Sequence, residues 1–153
     1  MREDSVTVDH PSRIKPLVGA GRRPAGLVAS LVLVAGATLI LVSGIIHLHL
    51  WASGYKNIKT IGPLFLVQGI AAIVLFVAIS LIRRVFIAVL GALFAAGTIA
   101  GLLLSVHVGL FGYRELMSAP WATTSIVIES AAVVLLLVGA ALVFLGERKD
   151  TRR

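Results

Sequence analysis

The sequence predicts an all-α fold: a polytopic membrane protein built as a four-transmembrane-helix bundle. Three observations carry the prediction. Apolar residues make up 58% of the 153-residue chain and charged residues 14%, against about 45–50% and about 25% in a soluble domain. The charge is also segregated. It is absent from Pro24 to Tyr55, from Thr60 to Ile82 and from Val85 to Tyr113, and between Leu116 and Gly146 it is Glu129 alone. Each block exceeds the ~20 residues with which a helix crosses a ~30 Å hydrocarbon layer. Finally, the basic residues crowd the block borders, as membrane orientation requires.

The elements follow in order. Residues 1–23 are polar and basic, with Pro11, Pro16 and a Gly-rich stretch, and read as a flexible cytoplasmic tail. The apolar run behind them is too long for the 7–15-residue core of a signal peptide, which favours an uncleaved first helix. The transmembrane domain spans 24–146, with helices at about 26–49, 61–82, 85–111 and 121–145. Pro63 suits the first turn of the second helix, where its missing N–H costs nothing. Arg83-Arg84 is too short a link for anything but antiparallel neighbours. Residues 147–153 form a charged cytoplasmic tail.

Lys/Arg placement sets the orientation. Arg13, Lys15, Arg22, Arg23, Arg83, Arg84, Arg148, Lys149, Arg152 and Arg153 fall on one side, and only Lys56, Lys59 and Arg114 on the other. Both termini are therefore expected in the cytoplasm, in a bacterial plasma (inner) membrane. The outer side would carry an interfacial belt of Trp51, Tyr55, Tyr113 and Trp121. A net charge of +7 does not imply a nucleic-acid partner, because orientation accounts for it; the lipid bilayer is the expected surroundings. Cysteine is absent, which excludes thiol–disulfide chemistry.

The halves of the domain look alike. His47-x-x-Leu50-Trp51 aligns with His107-x-x-Leu110-Phe111, and Gln68 with Glu129, at intervals that differ by one residue. A tandem two-helix repeat follows, its units related by an axis along the membrane normal. The stretch His47-Leu48-His49-Leu50-Trp51 with Ile61-Gly62-Pro63-Leu64-Phe65-Leu66, and the later Gly109-Leu110-Phe111-Gly112-Tyr113-Arg114-Glu115, resembles a group of small four-helix membrane proteins from actinobacteria. The resemblance spans roughly residues 27–145. It implies the architecture and the location, and transfers no site residue.

His47, Gln68, His107 and Glu129 are the candidate site, an intramembrane polar cluster in the outer third. A buried ionisable group in lipid needs a partner, so Glu129 should face inward, about 10 Å below the start of its helix. His47 continues a small-residue stripe through Gly36 and Ser43. His49 lies about 200° round the helix from it, at the interface or rim, so the two do not chelate together. Gly97, Gly101 and Ser105 form a second stripe, expected to pack against another helix of this chain or of another subunit.

Several roles suit the cluster. It fixes helix packing, relays protons in a small transporter, or binds a transition metal through His47, His107 and Glu129, since two imidazoles and a carboxylate suit Zn, Cu or Fe. A haem between His47 and His107 is a further option. The primary expectation is a non-enzymatic accessory or interaction component without a cofactor, meeting a membrane-protein partner or its own copy. The alternative is a small transporter or a metal- or haem-binding redox protein. No phosphate-binding loop or dinucleotide fingerprint is present.

Overall fold

The structure, a computed structural model, describes residues 26–152. The expected tail over 1–23 lies outside the described residues. Four helices follow one another: α1 (Leu27–Ser53), α2 (Ile61–Ile82), α3 (Val85–His107) and α4 (Ala122–Thr151). All four are long and apolar enough to cross a membrane. The chain is thus an all-α four-helix bundle with the character of a multi-pass membrane protein, and exposed residues such as Leu31, Val74, Leu81 and Phe86 give it a lipid-facing surface. Successive antiparallel helices put the start of α1, the α2–α3 link and the end of α4 at one end. The two longer loops lie at the other, here called the distal end.

α1 is the most enclosed helix and runs along both α2 and α4, while α4 also lies along α3. Its buried stripe, through Ala29, Leu33, Gly36, Ala37, Ile40, Ser43, Gly44 and His47, recurs at the three- and four-residue spacing of one helix face. Without a hydrophobic force between helices in lipid, close packing must hold them together, and small residues provide it here. Leu33 fills the space that a side chain on Gly139 would take, and Leu136 does the same at Gly36, so α1 and α4 interlock reciprocally. Gly44 lies against Ala72, and Gly69 against Leu48, locking α1 to α2. Leu33, Ile40, Ile79 and Leu136 are fully buried at the centre.

α2 and α3 are joined by Arg83-Arg84 and meet near that link, where Gly91 abuts Ile79. Towards the distal end they part. Arg83 makes the reversal with a left-handed backbone, φ 47° and ψ 45°, and its Nε donates to the Ser80 carbonyl at 2.9 Å.

Helix bounds differ from the sequence reading in three places. α1 continues to Ser53, beyond the expected end at His49. α3 stops at His107 rather than running to Phe111, because Gly109, Phe111 and Gly112 all take positive φ and turn the chain back, closed by reciprocal backbone bonds between Leu110 and Tyr113 (2.7 and 2.9 Å). Arg114 caps the end, its guanidinium donating to the carbonyls of Val106 and His107 at 3.1 Å each. α4 runs on through the expected charged tail to Thr151, whose hydroxyl bonds the Glu147 carbonyl.

Candidate functional site

Ser43 and His47 lie one turn apart on the buried stripe of α1, and Glu129 faces them from α4. Glu129 is 2% exposed and His47 8%. The Ser43 hydroxyl donates to Glu129 Oε1 at 2.6 Å. Thr98 of α3 also lies within hydrogen-bonding reach of that carboxylate. His47 Nδ1 stands 2.8 Å from the Ser43 carbonyl. A carbonyl only accepts, so Nδ1 carries the proton, and in the neutral ring Nε2 is left as an acceptor. Three helices therefore contribute to one polar floor inside the apolar span.

An aromatic ladder climbs from this floor to the distal surface. Phe65 meets the His47 ring edge-on at 5.1 Å, and Tyr55 stacks on Phe65 at 4.9 Å. Tyr55 is brought there by the 3-10 turn Tyr55–Asn57, which folds onto the start of α2. Gly62 permits this, since a side chain there would strike the carbonyls of Tyr55 and Lys56. The ladder ends at Glu115, which is 9% exposed. Tyr55 donates to its Oε2 at 2.7 Å and Tyr113 at 3.2 Å, while the Leu116 amide donates to Oε1 at 3.0 Å. Its own amide donates to the Ser105 hydroxyl at 3.2 Å. Burial, with the bond to Glu115 behind it, pushes the Tyr55 phenol above its ordinary range. Burial raises Tyr113 in the same direction.

Where α2 and α3 part, a cavity of about 440 Å³ opens beside the floor. His47, Gln68, Ser125 and Glu129 are among its polar lining, with Leu50, Phe65, Phe94 and Leu102 among its apolar walls. Tyr55, Leu110, Tyr113 and Trp121, all from the loops, cover its distal end. Leu64 and Val67 on α2 and Leu93 on α3 line it and are also exposed, so they form the lips of a lateral opening. The cavity is thus bordered by exposed apolar side chains between α2 and α3 and by loop residues at its distal end.

His47, Gln68 and Glu129 come together as lining of this cavity. His107 does not. It is the last residue of α3, exposed, with Nδ1 held 2.8 Å from the Leu103 carbonyl. His107 thus stands at the end of α3, apart from the cavity lining that His47 and Glu129 share. Among the described residues no three His, Cys, Asp or Glu side chains converge as a metal-binding group. The early end of α3 is the cause, since it leaves His107 at the rim.

At the second stripe, no helix of this chain packs on the glycines. Gly97 and Gly101 meet nothing within 4 Å in the direction of a side chain. With Ser105 they line the cavity rather than seat a helix of this chain. Within the distal belt, Trp51 is half-buried and Trp121 lies edge-on to His49 at 6.4 Å. Tyr55 and Tyr113 instead turn inward to Glu115. Glu115, Phe65 and Thr98 were the residues that sequence reasoning missed. Only Ser43 was signalled, by its place four residues before His47.

No family model matches the chain, and neither a curated protein nor a solved structure is detectably similar to it. The site must therefore be read from its own chemistry.

Proposed function

We propose that the chain is a non-enzymatic accessory protein of a bacterial plasma membrane that holds one lipid-soluble molecule in the cavity between α2 and α3. Both termini lie in the cytoplasm in this reading, so the cavity opens into the outer leaflet. The Lys/Arg distribution supports the orientation. One observation carries the function: a largely apolar cavity with a polar floor, bordered between α2 and α3 by the exposed apolar side chains Leu64, Val67 and Leu93. Its volume of about 440 Å³ falls in the range of roughly 300–1,000 Å³ typical of small-molecule sites. The distal loops around Tyr55 and Glu115 would then present the loaded state to a membrane partner.

The test is to purify the protein in mild detergent and identify co-purifying lipids by mass spectrometry, beside Gly101→Phe. A Cβ at that position meets nothing within 4 Å, and a phenylalanine there should take up space in the cavity that Gly101 lines. A stoichiometric amphiphile with the wild type and none with the variant is the expected result. Equal lipid in both would overturn the reading. A Soret band or stoichiometric metal in the purified protein would replace it with the redox alternative.

A further inference from the structure

Glu129 is 2% exposed and lines the cavity. Among the described residues one donor reaches its carboxylate, the Ser43 hydroxyl at 2.6 Å on Oε1. Thr98, its other polar neighbour, donates instead to the Ala95 carbonyl at 2.8 Å. A carboxylate has room for about four hydrogen bonds, and an ionisable group at membrane depth is costly unless something pairs with it. No lysine or arginine among the described residues lines the cavity. We infer, resting on the cavity reading above, that the occupant brings the missing cation. It is a protonated hydrophobic amine, its ammonium N–H seated on Glu129 and its apolar body among the aromatic walls.

The neighbouring groups on the lining ask for the same partner. His47 spends its one ring proton on the Ser43 carbonyl, so its Nε2 remains an acceptor. Nε2 is the enclosed atom of the Gln68 amide, so Gln68 meets the cavity through Oε1, another acceptor. The Tyr55 and Tyr113 hydroxyls already donate to Glu115. Glu115 has both oxygens engaged, since the Leu116 amide takes Oε1, which leaves Glu129 as the anchor.

Charge and shape select the rest. An anionic head would meet two carboxylates with no cation to offset them. A quaternary ammonium carries the charge but has no N–H to give to these acceptors. Phe65, Phe94 and Tyr55 are among the walls, and an aromatic ring within about 6 Å attracts a cation as well as an apolar body. Two sources share this chemistry, a free hydrophobic amine and the aminoethyl head of a phospholipid. The first fits better, because the phosphate of the second would lie beside the carboxylates.

The experiment titrates phenylbutylamine into the protein in phosphatidylcholine nanodiscs at neutral pH. Three probes with the same body run beside it: the trimethylammonium analogue, phenylbutanol and phenylbutanoate. Empty nanodiscs give the partitioning to subtract. One amine per chain is expected, bound roughly tenfold or more tighter than the alcohol, the worth of a hydrogen bond to a charged group. The trimethylammonium probe should fall between them and phenylbutanoate should bind weakest. Glu129→Gln should bring the amine down to the level of the alcohol, and Gly101→Phe should weaken both together. Should Glu129→Gln fail to fold, the ranking of the four probes on the wild type decides. Repetition in nanodiscs containing phosphatidylethanolamine separates the sources: competition assigns the ammonium to a lipid head, unchanged binding to a free amine. An alcohol bound as tightly as the amine, or an amine preference that survives Glu129→Gln, would overturn the ammonium assignment and leave the cavity reading standing. So would failure of every probe while lipid still co-purifies with the wild type and not with Gly101→Phe. Failure of every probe together with equal lipid in both would overturn both readings.

Discussion

Glu129 is the most deeply buried charged residue of the described chain, and what it does for stability follows from its one short bond. Removing the carboxylate with Glu129→Ala leaves the Ser43 hydroxyl without its acceptor and leaves a void at a position only 2% exposed. Interhelical hydrogen bonds in membranes contribute about 0.6–2 kcal/mol, so a loss of about 1–2 kcal/mol is expected in detergent unfolding. Glu129→Gln keeps shape and an acceptor oxygen and should cost less than half as much. Equal losses in the two variants would show that the bond to Ser43 is not what the carboxylate supplies. The distal tyrosines give a pH signature. Their phenols are raised above the ordinary value of 10.0, so the folded state holds those protons more tightly than the unfolded chain. That contribution is fully present below about pH 10 and is lost as pH rises further. Near-UV tyrosinate absorbance should therefore appear later in the folded protein than on unfolding, and Tyr55→Phe should remove part of the delay. At this scale the sequence marked out Glu129 and His47, which both line the cavity, because a charge and a small-residue stripe are visible in a string of letters. It did not show Glu115, which looks like any loop charge until Tyr55 and Tyr113 close over it.

Helix contacts decide which glycines matter. Gly139 receives Leu33 and Gly36 receives Leu136, whereas Gly97 and Gly101 receive nothing. Gly139→Leu should therefore overpack the α1–α4 seam at about 1–3 kcal/mol. Gly101→Leu should leave the melting temperature in detergent unchanged within error. The two variants form a matched pair, and a destabilised Gly101→Leu would place that face against a second copy of the chain. All these glycines sit in apolar helices with small neighbours, so spacing alone could not rank them. What separates them is which helix lies opposite, and that is set by the α1–α4 pairing. The bounds of α2 were legible because Pro63 and Arg83 mark them in charge and chemistry. The end of α3 was not, since Val108 to Phe111 is as apolar as the helix before it. The backbone turns there through positive φ at Gly109, Phe111 and Gly112, a signal weaker than the hydropathy around it.

For the whole molecule, the antiparallel bundle fixes both ends of the transmembrane domain on one side, and the basic residues then choose which side. The chain has no cysteine, so single-cysteine labelling is clean. Thr151→Cys and Ser12→Cys should resist an impermeant maleimide on intact cells, while Asn57→Cys in the distal loop should react. Labelling at Thr151 with protection at Asn57 would invert the molecule and put the cavity in the inner leaflet. The fold class was readable because hydrocarbon thickness and charge exclusion are properties of the sequence. The cavity was not, because it exists only where two helices fail to touch.

That failure begins at one joint. α2 is 22 residues long, an arm of about 33 Å at 1.5 Å per residue, and it meets α3 through a dipeptide whose first residue holds a left-handed backbone. The pair has the geometry of a drawing compass. A rotation of about 5° at Arg83 would carry the distal tip of α2 about 3 Å, and it would have to slide α2 over its contacts with α1 at Ala72 and Gly69. If the backbone at Arg83 helps to set the gap between the distal halves of α2 and α3, Arg83→Gly, which slackens that pivot, should broaden the spread of distances between spin labels placed at Leu64 and Leu104; an unchanged spread would show that the contacts with α1 and α4 hold the two helices apart.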